Sequence, residues 1–352
     1  MTDKKLNKRQ EVILLNIEFG KTYAMAEIAK FFVERNKTSL ATLRRDLKEL
    51  SNIGFLEQGG KLKNTTYKIT TLGMLLNPIN AHDYGAIEVD KRKAYPTYNF
   101  SLFEEMPKNI FSEKEIQKLN ESTELFIHKS KGASKTIQKK ELERFVIELS
   151  WKSSKIEGNT YTLLDTELLL KEGIEAKGHT KNEAIMILNH KKAFDYVLSS
   201  RDKYLKPNVR LVEDIHRLMV DGLDVSFGLR SRAVGITGTK YMPLSIPTQI
   251  HEALIDLCHA IERVETPYEK ALIALLGISY IQPFEDGNKR TARLFADAIL
   301  LAYSCAPLSY RNVDEVNYRE SILVFYEKNS VVPICNIVVQ QYIFSCENYL
   351  KF

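Results

Sequence analysis

The chain has 352 residues, 44% hydrophobic and 27% charged, an ordinary globular balance with room for two domains. No apolar run approaches the roughly 20 residues that span a bilayer, and the opening "MTDKKLNKRQ" lacks the apolar core of a signal peptide, so a cytoplasmic protein without a membrane partner is expected. The formal charge of +5 is uneven: residues 1–73 hold 14 Lys/Arg against 8 Asp/Glu, a local net of +6 on an otherwise near-neutral chain. Cys258, Cys305, Cys335 and Cys346 fall at no metal-ligand or disulfide spacing and read as reduced, mostly buried thiols.

Three helices are expected in the basic head. The first lies within 7–19, with Val12 to Leu15 and Ile17 apolar. The second carries Met25, Ile28, Ala29 and Phe32 at i, i+3, i+4, i+7. The third, in "KTSLATLRRDLKEL", is capped by Thr38 or Ser39, buries Leu40, Leu43, Leu47 and Leu50, and shows Thr42, Arg44, Arg45 and Lys48 on its other face. Short β-like pieces, "FLEQ" and "TYKIT", then flank a turn at "GGKLKN". Three helices and a basic two-stranded ribbon make a winged helix-turn-helix, and "SLATLRRDLKELSNIGFLEQ" resembles the recognition helix and wing of sugar-responsive bacterial repressors. Such a helix enters a major groove with Thr42, Arg44 or Arg45 near base edges and Lys61 and Lys63 on phosphates. A winged helix that binds protein, with a merely solvated basic face, is the competing expectation.

Residues 74–110 lack a helical period and read as a linker. From Ser112 onward helices are expected near 113–130, 136–157, 163–171, 181–201, 207–220, 248–263, 267–281, 288–303, 313–328 and 333–350, interrupted at 233–244, where "AVGITGTKYMPL" reads as a β-hairpin. The fold class is therefore mainly α: a helical body with one hairpin behind a winged helix.

The densest chemistry lies in "QPFEDGNKRTAR", residues 282–293. Pro283 ends a buried helix, and Asp286 precedes Gly287, which permits positive φ. Converging backbone N–H groups can then form an anion nest where Asn288 and Lys289 open the next helix. Arg290 and Arg293 project from its first turn, where cations oppose the helix dipole unless an anion is bound. Two arginines beside a nest suit a polyphosphate, and the neighbouring carboxylate suits Mg²⁺, which takes one or two carboxylates plus phosphate oxygens. The Walker pattern is absent, which excludes a P-loop NTPase.

This stretch resembles the signature of the Fic family, whose members commonly transfer AMP from ATP to a target hydroxyl. The resemblance covers about 110–350 and implies domains at 1–73 (winged helix), 74–110 (linker) and 111–352 (Fic). It implies Asp286 as the Mg²⁺ ligand, Gly287, Asn288 and Lys289 as the phosphate nest, Arg290 on the triphosphate and Arg293 on the γ-phosphate. "VGITGTKYMPL" matches the family's flap, so Val234, Gly235, Ile236, Thr237 and Gly238 would dock a target protein by strand addition. "SSKIEGN" resembles the inhibitory helix, around 140–158, in which Ser153, Glu157 and Gly158 match the motif and Glu157 would pair with Arg293. The family's leading histidine, the base that takes the proton of the attacking hydroxyl, is replaced by Gln282. An amide has no usable basicity near neutral pH, and general base catalysis is worth about 10²–10⁴-fold. Two functions stay open: a self-inhibited, weak adenylyltransferase, or a catalytically silent regulator that reports ATP to DNA. ATP, Mg²⁺, a target protein, DNA and a second copy of the chain are the expected partners.

Overall fold

The computed structural model describes residues 6–36, 38–61 and 64–352; Lys63 lies outside them. The chain divides into two compact units.

One unit holds residues 1–107, 236–242 and 319–335. Helix α1 (Lys8–Asn16) starts in a capping box: Asn7 accepts from the backbone of Arg9 and Gln10, and the Gln10 side chain returns to Asn7 N. Strand β1 (Tyr23–Ala24) leads into α2 (Met25–Asn36) and α3 (Leu40–Asn52). Ser39 caps α3 through Thr42 N, one turn before its buried face begins. Leu43, Leu47 and Leu50 are fully buried against Ile13, Ile28 and Phe32. Leu40, expected in that stripe, is 50% exposed because it sits at the helix start, ahead of the core. Strands β2 (Leu56–Gly59) and β3 (Thr66–Ile69) pair antiparallel, and β1 adds to β3 in the order β1-β3-β2.

Helix α4 (Thr71–Leu75) closes this core, and α5 (Ala81–Gly85) begins at Asn80, whose side chain accepts from Asp83 N. Both are too short to register as a periodic pattern over a useful window. The stretch after them buries Tyr98, Leu102, Phe103 and Met106.

The expected hairpin at 233–244 does not form. Thr237–Gly238 is a turn, but the flanks make no ladder with each other. Their polar groups are satisfied elsewhere in the same unit. Met242 N donates to Pro96 O, with a single parallel bridge Thr97↔Met242. Lys240 N and Thr239 Oγ1 donate to the buried carboxylate of Glu327, and Arg92 Nη2 donates to Gly238 O at 2.6 Å. Alternating small and apolar residues indicate an extended chain; they do not choose its partner.

The other unit holds 108–235, 243–318 and 336–352. Its helices are α6 (Glu113–Ser130), α7 (Lys135–Ile156), α8 (Leu163–Glu172), α9 (Lys181–Ser199), α10 (Val209–Met219), α11 (Pro247–Arg263), α12 (Pro267–Ile281) and α13 (Asn288–Ala302). Helices α14 (Glu315–Lys328) and α15 (Val332–Asn348) complete the chain. Ser112, Ser134, Thr162, Thr180, Asn208 and Thr266 each accept from the first-turn backbone of the helix they precede, which fixes where six of these helices begin. The architecture is mainly helical with one small sheet, and among the described residues no helix is long and apolar enough to cross a membrane.

Candidate functional site

Helices α12 and α13 form the centre of their unit. Every residue from Tyr268 to Ile281 is buried, and so is nearly all of α13, so both are core helices without a solvent face. At Gly277 a Cβ would lie 2.2 Å from Leu257 Cδ1, so any larger residue there requires the Leu257 side chain of α11 to move.

Between them, residues 282–287 are held at every step. Gln282 ends α12 in the left-handed region at φ +50, its N–H still donating to Ile278 O at 3.0 Å. The Asn288 side chain clasps Phe284, accepting from its N–H and donating to its carbonyl, each at 2.8 Å. Phe284 is fully buried and stacks on His216, with centroids 3.6 Å apart and planes 5° off parallel. His216 Nε2 donates to the Asp286 carbonyl at 3.0 Å. Gly287 then turns the chain at φ +78 and opens α13 with no side-chain cap. The first backbone N–H groups of α13 therefore point out of a fixed bend without a capping acceptor.

The cations of this turn are arranged in two layers. Arg293 is fully buried: its Nε donates to Ser153 Oγ at 2.9 Å, Nη2 to Ser153 O at 2.8 Å and Nη1 to Glu157 Oε1 at 2.8 Å. Lys289 Nζ reaches the other Glu157 oxygen at 3.5 Å. Glu157 is the C-cap of α7, and Gly158 follows at φ +97. Arg290, nearly fully buried, has Nη2 3.2 Å from Asp286 Oδ2, while its Nη1 is buried with no hydrogen-bond partner. The Asp286 carboxylate is 67% exposed.

Electrostatics follow from this packing. Burial opposes ionisation of Glu157, but Arg293, Lys289 and Arg290 outweigh it and hold its carboxyl below the usual range. Burial likewise opposes charge on Arg293, and Glu157 beside it more than compensates. Burial pushes His216 down to about 4, against its bond to the Asp286 carbonyl, and with the nearby arginines pushes His190 down to about 3. Both imidazoles are therefore neutral at physiological pH.

Of the residues expected in the site, Ser153, Glu157, Asp286, Gly287, Asn288, Lys289, Arg290 and Arg293 converge here. Asn288 differs in one respect: its amide is committed to the loop itself. Gln282 turns away, its Nε2 donating to Ser279 O at 2.7 Å. In the other unit, Arg44, Arg45, Lys48 and Lys61 are exposed, and Thr42 is half-buried with its hydroxyl against Ser39. Val234 and Ile236 are half-buried; Gly235, Thr237 and Gly238 are exposed.

Sequence reasoning did not place His216 or Arg230 at the site. His216 left a signal, since it lies on the face of α10 that buries Val212, Ile215 and Met219. Arg230, in a loop, left none.

Residues 206–300 match the model of the Fic/DOC family. Over 203 residues the chain is 25% identical to protein adenylyltransferase Fic of Drosophila yakuba; the match takes in 56% of this chain and 40% of that one. The chain thus spans less than half the length of that curated relative. Among solved structures, Fic-1 from C. elegans aligns at a TM-score of 0.56 and 19% identity over 67% of this chain and 70% of that one. A Fic family protein from Desulfovibrio desulfuricans aligns at 0.56 and 21% over 69% and 75%. The helical body has the fold of these Fic proteins.

Proposed function

We propose that this protein binds Mg-ATP at the start of α13 and is a self-inhibited protein adenylyltransferase of low intrinsic activity, coupled to a DNA-binding winged helix. The observation that carries the reading is Glu157 between Arg293 and Lys289, a carboxylate seated where a terminal phosphate would bind. The backbone of Gly287, Asn288 and Lys289 would receive phosphate oxygens, and Arg290, with one unpartnered buried nitrogen, the triphosphate. Asp286 fits Mg²⁺: it is a single exposed carboxylate, and a Mg²⁺ that shares phosphate oxygens needs no larger ligand cluster. The ion supplies charge neutralisation on the phosphates when bound.

Ser153 and Glu157 would hold Arg293 away from the γ-phosphate. Displacing the carboxylate lets Arg293 receive it and brings the nucleotide into the productive pose. A target protein would dock along Val234–Gly238 and offer a hydroxyl. Residues 1–73, with Arg44, Arg45 and Lys48 exposed on α3, support a winged helix that binds DNA, followed by a linker to 110 and the Fic domain from 111.

One observation favours the silent-regulator alternative. The Gln282 side chain is tied to its own helix and has no basic atom to take a proton. On that reading the site reports nucleotide without transferring it.

Calorimetry with Mg-ATP tests the site common to both. Asp286→Ala should reduce the metal dependence of binding, and Arg290→Ala should weaken triphosphate affinity by about tenfold or more. Unchanged affinity in both variants places the nucleotide elsewhere.

A further inference from the structure

We propose that Arg230 is a positioning residue that ties the Gln282–Pro283 bend to the stem of the 233–243 segment, the carbonyls of Arg232 and Leu244, so that the base of a target-docking segment and the placement of residue 282 are set together. The inference rests on the reading of Val234–Gly238 as the target-docking segment.

The geometry is specific. Arg230 is 2% exposed. Its Nε donates to Gln282 O at 2.6 Å, its Nη1 to Arg232 O at 2.7 Å and its Nη2 to Leu244 O. Its own backbone N–H donates to Pro283 O at 3.0 Å. One planar guanidinium thus joins the carbonyls on either side of residues 233–243 to the carbonyl of the residue that heads the site loop. Arg232 and Leu244 are twelve positions apart in the chain, so this fork closes the stem of the segment.

Guanidinium chemistry suits this task. Its donors lie in one rigid plane at fixed angles, so three bonded carbonyls become parts of one body. A lysine ammonium carries its three N–H donors on one nitrogen and cannot span three carbonyls held apart in a fork. Gln282 depends on such support because it occupies the left-handed region without being glycine, a conformation maintained only where the surroundings fix it. Moving the stem moves the guanidinium plane, and the Gln282 carbonyl moves with it.

Hydrogen exchange on the full chain, with Arg230→Lys and Arg230→Met, tests the coupling. The expected result is faster exchange at the stem, 232–235 and 244–246, and in 282–287 together, by about tenfold or more for methionine and less for lysine, with α6 and α7 as protected as in the unaltered protein. A change confined to one of the two segments, no change, or a uniform loss across the helical body overturns the proposal. If Arg230→Met does not fold, the lysine variant is judged by the same pattern. A second readout separates positioning from mere stability. In a Gln282→His, Glu157→Gly background, Arg230→Lys should lower AMP incorporation about tenfold with Mg-ATP affinity unchanged. Equal loss of both contradicts it. If that background itself incorporates no AMP, the transferase reading fails, and the exchange pattern alone decides the role of Arg230.

Discussion

Arg293 and Glu157, 136 residues apart in the chain, meet at 2.8 Å with the guanidinium fully buried and the carboxylate 18% exposed. Removing the carboxylate leaves a buried cation without its counter-ion, which is costly even when the intact pair adds little. Glu157→Gly should therefore lower the stability of the nucleotide-free protein, by about 1–3 kcal/mol given the partial exposure of the pair. Mg-ATP should return part of that loss, because it supplies an anion to Arg293 and Lys289 in the folded state only. Thermal unfolding with and without Mg-ATP checks this: the ligand-induced rise should be larger in the variant, and equal rises would mean that the triphosphate does not use these cations.

Two buried neutral histidines give stability a predictable slope with pH. His190 and His216 have folded-state values near 3 and 4, below the ordinary value of about 6.5, so the unfolded chain binds more protons between those limits. Stability from this source is complete above about pH 6.5 and falls as pH drops, by about 2 kcal/mol for each histidine at pH 5. Glu157 has the same sign in a lower window: its depressed carboxyl stabilises the fold above the ordinary carboxylate range and loses that only as pH falls through it, so its pair with Arg293 persists while the histidines titrate. Unfolding midpoints measured from pH 8 to 5 should decline, and His190→Leu should flatten the decline by roughly half. A flat profile in the unaltered protein contradicts the burial of these rings.

Much of the site was legible because its parts are local. Gly287, Asn288, Lys289, Arg290 and Arg293 fall within one loop and one helical turn, where spacing alone sets geometry. Glu157 reached the site through a resemblance, since no local rule brings a helix end to residues far along the chain. The segment at 233–244 was misread because alternation marks extension without naming the strand that will pair. Arg230 was invisible for a related reason: three carbonyl acceptors are backbone atoms, and backbone atoms leave no trace in a sequence. In the head, caps and the leucine period placed α3 to within a residue or two, and only Leu40 departed from the expected stripe, at the helix end where the period weakens.

The basic face of α3 makes a separate prediction. Arg44, Arg45 and Lys48 are exposed, and none is needed for the core beneath Leu43, Leu47 and Leu50. Arg44→Ala with Arg45→Ala should weaken DNA binding at least about tenfold, and affinity should fall steeply with salt. A genomic-fragment selection followed by titration at two salt concentrations measures both. Recovery of no DNA, or binding indifferent to the substitutions, makes the head a protein-interaction module.

Transfer of radiolabelled AMP bears most directly on the central claim, that nucleotide binding is built into the site while Glu157 and Gln282 limit two different steps. Four proteins suffice: the unaltered chain, Glu157→Gly, Gln282→His and the double variant, each with Mg-ATP and a cell lysate. Phosphate orientation and proton removal are separate tasks, so Glu157→Gly alone should show little labelling. Gln282→His should raise labelling by about 10²-fold or more at nearly constant ATP affinity, and the double variant should exceed both. Brisk labelling by Glu157→Gly with Gln282 intact would contradict the account, because another group would then be accepting the proton.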